Sequence, residues 1–482
     1  VSNLAVPQVV VQGSPGARHR ANLLVSQHST VEDGRRGIFL RNCTFAHMDL
    51  NISASYDPEN ETACEPILLV VDRCSLINSS AWIWLPHYVN PKSVVKLPNG
   101  TVILPSTRWS VSVVVEIRHT TAEAGSALST MKRPVGANVY DDTLDYSNHL
   151  FSVFPGGVIS ESSTLQPVVT GRIVVHNSTL RVATRTDPSP WMMQGSAVSW
   201  IGRLPMASMS IGFDLNNVSI VVEANSTVSV ALDGRTLLQH AAKSYVAAVP
   251  AARRIHGLTF TVVDHSTVSA SANPWKTVAN VMSVTAESLS RMDVVIVGGS
   301  FVSAQSTMDA RCVGVVSGNT TDVTIHVSEA SRVTVNASNA ASSTACALCL
   351  GHPGSLESER PWIMNRFSNM GFQAIALRVS DGSAVTAYGY SVASMTILYV
   401  HASLRQILLL NVSFTVEAGS RVVGEAPMPS TGGVFLASIV TGPPGQTAFA
   451  ATARHILIVL DDGSWIGHPV AAFKSVAMSM IL

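Results

Sequence analysis

Apolar and polar residues alternate with a period of two through much of this chain, in short runs that stop at a tight polar corner. Period-two alternation places every second side chain on one face of a strand. In LTFTVV (residues 258–263) it sets Leu258, Phe260 and Val262 on one face, which we expect to point inward. Two segments 194 residues apart show the unit most clearly: NVSIVVEANSTV at 217–228 and NVSFTVEAGSRV at 411–422 agree at eight of twelve positions. Their common core is a short β-type run, a tight polar corner, then Ser, a variable residue and an apolar residue.

The corner recurs along the chain. Aligned on the small residue that follows it, the anchors are Cys43, Cys74, Ser126, Ser178, Ser226, Ser266, Ser300, Ser331, Ser383, Ser420 and Ser464. The gaps between them run 31, 52, 52, 48, 40, 34, 31, 52, 37 and 44 residues. Self-similarity at this scale marks a solenoid or a propeller. From residue 170 onward each unit has three strand-like pieces. A small-residue apolar run such as VANVMSV (278–284) comes first, an alternating strand second, and a short strand after the corner third. Three short strands per coil predict an all-β fold, a right-handed parallel β-helix of roughly ten or eleven coils. A propeller needs four antiparallel strands per blade, and the variable gaps suit a solenoid with loop insertions better. Residues 1–36 read as an irregular lead-in containing one short strand, VPQVVVQ. Residues 37–482 read as the solenoid, with a protruding excursion at 131–165 where the repeat is weakest.

Composition sharpens this picture. Charged residues make up 13% of the chain, against about 25% in an ordinary globular protein. The apolar 46% includes only 6% aromatic residues, so it is mostly Val, Ala, Ile and Leu, which suit half-buried strands. Lys plus Arg equals Asp plus Glu at 31 each, for a formal net charge of zero. No basic stripe is interleaved with aromatics, so nucleic acid is not expected as a partner. No run of 18 apolar residues predicts a membrane-spanning helix. The chain begins at Val1 without Met and ends in SVAMSMIL, which reads as an interrupted strand. We therefore expect a fragment of something larger, any membrane anchor lying outside it.

Eleven N-x-S/T sequons occur, at Asn42, Asn51, Asn60, Asn78, Asn99, Asn177, Asn217, Asn225, Asn319, Asn336 and Asn411. They predict a secreted, surface-displayed glycoprotein, although the corner itself favours Asn beside Ser and so enriches the motif. The six cysteines are Cys43, Cys64, Cys74, Cys312, Cys346 and Cys349. Cys346 and Cys349 form a lone CxxC without a nearby fourth zinc ligand, which leaves a local disulfide or two buried thiols. Cys43 and Cys74 hold the same anchor position in consecutive units and should stack one coil apart, as free thiols or as a bonded pair, with Cys64 a competing partner.

Catalytic chemistry is not expected, nor is a cofactor or a metal. A glycosidase needs two carboxylates flanking the scissile bond. The acidic pairs here are Asp141–Asp142 in a loop and Asp461–Asp462 in a corner, where Asp-Asp-Gly is turn chemistry. His119, His176, His265 and His326 show no metal spacing.

The repeated N-V-S-h-x-V-E-A-x-S-x-V unit, the Val/Ser/Thr/Ala bias and the sparse cysteines resemble the large surface proteins of kinetoplastid protozoa. Among these, the dispersed gene family carries pectin-lyase-like repeats. The resemblance spans most of residues 37–482 and implies a cell-surface or secreted glycoprotein, often membrane-anchored, that contacts a glycan or a host or prey protein. It carries no site residue with it. The competing class is a carbohydrate-active enzyme of pectin-lyase-like fold. Convergence of carboxylates and basic residues in one groove separates the two, and adhesion predicts none.

Overall fold

The computed structural model describes residues 9–12, 19–25, 31–32, 34–54, 66–85, 95–96, 102–103, 108–124, 147–155, 166–186, 194–200, 214–234, 243–273, 277–338, 343–350, 369–389, 392–400, 406–425, 433–441, 450–461, 463–467 and 476–481. Among these there is no helix. The strands pair in parallel, each with its counterpart one coil away, apart from two short antiparallel hairpins, Val31–Glu32 with Arg35–Arg36 and Val95–Lys96 with Val102–Ile103. The fold is a parallel β-helix.

One coil shows how the sequence makes it. Residues 243–249 run as the first strand, a register shift follows between Val249 and Ala252, and residues 252–262 form the second strand. The chain then turns through Asp264 and His265, both at positive φ (56° and 59°), reaches Ser266 and enters the third strand, Thr267–Asn273. Leu258, Phe260 and Val262 lie inward, each with no solvent exposure. Their stacking partners Met292, Val294 and Ile296 are equally buried. Burial of an apolar side chain of this size contributes about 1.5–3 kcal/mol, so the inward rows dominate the stability of the stack. First strands such as Val278–Met282 are buried on both faces, which is why they read as unbroken apolar runs rather than alternating ones.

The second strand is longer than its alternating part. It carries a second column of left-handed residues that the sequence reading did not separate: Asn217, Gly257, Arg291, Asp322, Ala374, Asn411 and His455, all at positive φ and in register from coil to coil. At each of them the strand bends.

The corners form the third edge. Register stacks Cys43, Cys74, Thr120, Ser178, Ser226, Ser266, Ser300, Ser331, Ser383, Ser420 and Ser464 in one line. The third place belongs to Thr120, not to Ser126, which lies outside the described residues. The corner has two forms. Before Cys43, Cys74, Thr120 and Ser178 a single left-handed residue makes the turn: Asn42, Arg73, His119 or Asn177. From Ser226 through Ser420 two do: Ala224–Asn225, Asp264–His265, Gly298–Gly299, Glu329–Ala330, Asp381–Gly382 and Ala418–Gly419. Gly298 is needed for space as well as for φ, because a Cβ there would stand 2.9 Å from the Asp264 backbone nitrogen.

The lead-in is less irregular than its sequence. Val9–Gln12 pairs with Cys43–Ala46, and His19–Val25 pairs with Met48–Ala54. Likewise Ser147–Pro155, inside the expected excursion at 131–165, is a first strand of the stack between Ser80–Leu85 and Gln194–Trp200. The remainder of that excursion lies outside the described residues.

Side chains at the anchor line are polar and, up to Ser420, buried, and most of them are shared between coils. The Ser178 hydroxyl accepts the Thr120 amide at 3.0 Å and donates to the His176 carbonyl at 2.7 Å. The Ser226 hydroxyl accepts the Ser178 amide at 3.1 Å, and that of Ser266 accepts the Ser226 amide at 3.2 Å. The same link joins Ser300 to Ser331, Ser331 to Ser383 and Ser383 to Ser420. Ser300 and Ser464 are the exceptions, each with a hydroxyl that has no hydrogen-bond partner, and of the two Ser300 is the fully buried one. A buried amide stripped of its acceptor costs about 1–3 kcal/mol. Ser226→Ala should therefore destabilise by an amount in that range, while Ser300→Ala should be close to neutral. Urea unfolding of both variants checks this, and equal losses would remove the hydroxyl ladder as the cause.

Candidate functional site

On the outward face of the second strands, three coils meet in a groove of about 560 Å³ lined by Glu116, Arg118, His119, Arg172, Val174, His176, Ser219, Val221 and Glu223. Register explains the assembly. Glu116 stands beside Val174 and then Val221, while Arg118 stands beside His176 and then Glu223. Alternation along each strand turns all of them away from the core. On the preceding coils Phe39, Leu68 and Val70 form a small apolar patch on the same outer face. The hairpin containing Glu32 and Arg35 reaches this face, tied by ion pairs from Arg41 to Glu32 and from Arg35 to Glu116.

Glu116 is the centre of the site. Its side chain is only 2% exposed, yet it meets three guanidiniums: Arg35 at 2.6 and 3.3 Å, Arg118 at 2.6 Å and Arg172 at 3.0 Å. Burial alone would raise its pKa. The hydrogen bonds and charges of Arg35, Arg118 and Arg172 outweigh burial and hold it below the ordinary value of 4.5. The carboxylate therefore stays ionised and is a fixed counter-ion rather than a proton donor near neutral pH. Beside it His176 Nδ1 lies 3.1 Å from Glu223 Oε1, the Asn177 amide donates to His119 Nδ1 at 3.0 Å, and the two imidazoles meet edge to face at 5.6 Å.

This convergence was not expected from the sequence, which left Glu116, Arg35, Arg118 and Arg172 unremarked and gave His119 and His176 no common role. The expectation that charged side chains do not gather in one groove is corrected. The cluster is nonetheless unlike a glycosidase pair, because its buried carboxylate is fully engaged by arginines. Among the described residues no group of three or more His, Cys, Asp or Glu could hold a metal ion.

The other residues singled out by sequence are dispersed. Asn42, Asn78, Asn177, Asn217, Asn225 and Asn411 all sit at positive φ, where Asn is favoured for backbone reasons. Asn42, Asn177, Asn217, Asn225, Asn319 and Asn411 are exposed, while Asn51, Asn78 and Asn336 are half-buried. Asn60 and Asn99 lie outside the described residues, as do Asp141, Asp142 and Asp462. His265 occupies a corner, and His326 is an outward residue 3.5 Å from the Ser380 hydroxyl.

Cysteine chemistry is that of buried thiols. Cys43 and Cys74 stack as adjacent anchors and are free, donating to the carbonyls of Arg41 and Leu40 at 3.0 and 3.3 Å. Burial raises both, and Cys74 is pushed up to about 12. Cys346 and Cys349 lie on one extended strand, Thr344–Leu350, and are also free. Three residues of strand span roughly 10 Å, beyond disulfide reach, so the local disulfide is excluded by geometry. Cys64 lies outside the described residues.

Among the described residues no helix is long and apolar enough to cross a membrane. No protein-family model, no curated protein and no solved structure matches the chain.

Glu116 makes the local structure acid-sensitive in a defined direction. Its folded pKa is lowered, so its contribution is fully present above the unfolded value and is lost as pH falls through the folded one. Unfolding midpoints should fall on acidification below about pH 4.3. Glu116→Gln should flatten that part of the profile while lowering stability near pH 7. Urea titrations across pH 2.5–7 (values chosen to bracket roughly the carboxylate range) check it, and an unchanged acid limb in the variant would refute the assignment.

Proposed function

We propose that this chain is the β-helical scaffold of a cell-surface or secreted glycoprotein with an adhesive, non-enzymatic role, and that the lateral groove is its contact site. The observation that carries this reading is the state of Glu116. A buried carboxylate committed to three arginines helps present charge to a ligand but is itself unable to protonate a leaving group. Exposed sequon asparagines at Asn42, Asn177, Asn217, Asn225, Asn319 and Asn411 support display in a secretory compartment. The resemblance to kinetoplastid surface proteins of the dispersed gene family points the same way. The partner on this reading is a glycan or a host or prey protein.

A second reading, a carbohydrate-active enzyme, has two observations in its favour, the first being the convergence of Glu116, Glu223, Arg118 and Arg172 in one groove, which adhesion did not predict. The second is that His176 is oriented by Glu223, an arrangement that can make a histidine a general base. The two are separated by incubating the chain, expressed through a eukaryotic secretory pathway, with pectin and related polyuronides. The adhesive reading expects an endoglycosidase-sensitive mass shift and no new reducing ends or unsaturated products. Cleavage that disappears in His176→Ala would replace it with the enzymatic one. Because several sequon asparagines also hold left-handed backbone, Asn217→Gly should keep the fold and lose the glycan, whereas Asn217→Gln should destabilise by about 1 kcal/mol.

A further inference from the structure

The groove has a surplus of hydrogen-bond donors with a definite location. An ionised carboxylate offers about four lone-pair sites, and a guanidinium offers five N–H donors. Glu116 receives four contacts: two from Arg35, one from Arg118 and one from Arg172. Its accepting capacity is full. Arg118 and Arg172 each commit one amino group to it and remain about half exposed, at 45% and 51%. Their other donors are available on the groove side.

The charges around the groove are Arg35, Arg41, Arg73, Arg118 and Arg172 against Glu32, Asp72, Glu116 and Glu223. The balance is one positive charge before any proton is placed on His119 or His176. The floor between the arginines is Val174, Val221 and Ser219, with no aromatic side chain and no deep apolar pocket. Protein partners are held by buried aromatic or aliphatic anchors, for which this polar lining is a poor match. Planar guanidinium forks match the oxygens of carboxylate and sulfate groups. The groove also crosses three coils along the solenoid axis, which suits an extended chain.

We infer that this groove binds an acidic saccharide chain through its carboxylate or sulfate groups, with Arg118 and Arg172 as the contact residues. The inference rests on the reading of the groove as a contact site. Glu116 acts as a positioning residue, holding the two guanidiniums with their remaining donors outward.

The test is calorimetric titration of the full chain with a sulfated oligosaccharide, a polyuronide oligosaccharide, neutral dextran, inorganic sulfate and a phosphopeptide. Binding to one or both acidic saccharides, weakened by salt, and none to dextran is expected. Each of Arg118→Ala and Arg172→Ala should weaken it about tenfold. Arg378→Ala, which removes a half-exposed arginine paired to Glu417 on another coil, should leave it unchanged. Circular dichroism confirms that each variant is folded, and Arg118→Lys, which keeps the charge but loses the fork, covers the case in which Arg118→Ala does not fold. Equal binding of dextran, preference for the phosphopeptide, or full affinity in both folded arginine variants would overturn the ligand assignment. If acidic saccharides bind without needing these arginines, the adhesive reading survives and this inference fails. If the chain binds none of the saccharides yet attaches to cells, the inference again fails alone. If it does neither, both fail.

Discussion

Every coil must reverse direction at a corner too tight for ordinary backbone, and the buried amide just past that corner must still find an acceptor. This is the constraint on which the rest of the molecule depends. Left-handed residues make the turn, and their own amides donate to the next coil, as Asn177 does to Glu223 and His265 to Gly298. Most anchor amides are met instead by the next anchor's hydroxyl, whereas those of Ser266, Ser420 and Ser464 donate to the carbonyl three residues back. A small side chain that both donates and accepts fills that place in most coils, which explains Thr120, Ser178 and Ser226 there, while Ser300 and Ser464 hold it on size alone. A buried polar column is costly when partly satisfied, so the line of hydroxyls fixes which coil stacks on which and holds the apolar rows in phase.

The parallel β-helix was legible because this constraint leaves its mark in sequence. The alternating run, the turn residues and the small anchor occur in fixed order, and Leu258, Phe260 and Val262 went inward as their spacing required. One misplacement mattered. Aligning the third unit on Ser126 instead of Thr120 shifted it by six residues. On the correct alignment Glu116, Val174 and Val221 form one outward row and Arg118, His176 and Glu223 the next. The groove could then have been read from the sequence, except for Arg35. That residue arrives from a hairpin outside the repeat, so no periodicity could place it. The second column of left-handed residues was hidden for another reason: Arg291, Asp322, Ala374 and His455 share a backbone conformation but no side-chain type.

Inward and outward faces of the second strands thus have separate duties. The inward rows hold the stack together and tolerate little, while the outward rows are free to vary. Only where consecutive coils happen to bring complementary charges side by side does that freedom become a site. Glu116 is the one outward residue of its strand that is both charged and buried, because Arg35 closes over it from one side and two arginines flank it on the other.

The change of corner between Ser178 and Ser226 has a historical consequence. Coils with two left-handed corner residues share one perimeter at that edge and could be exchanged, duplicated or lost as whole modules without shifting the phase of their neighbours. A crossover spanning the boundary would instead add or remove a residue at the turn. The groove lies across that seam, with Arg172 and His176 on one side and Ser219 and Glu223 on the other. Recombination among the coils beyond the one that carries Ser219 and Glu223 would lengthen or shorten the solenoid while leaving the groove intact, so chain length and binding can evolve independently.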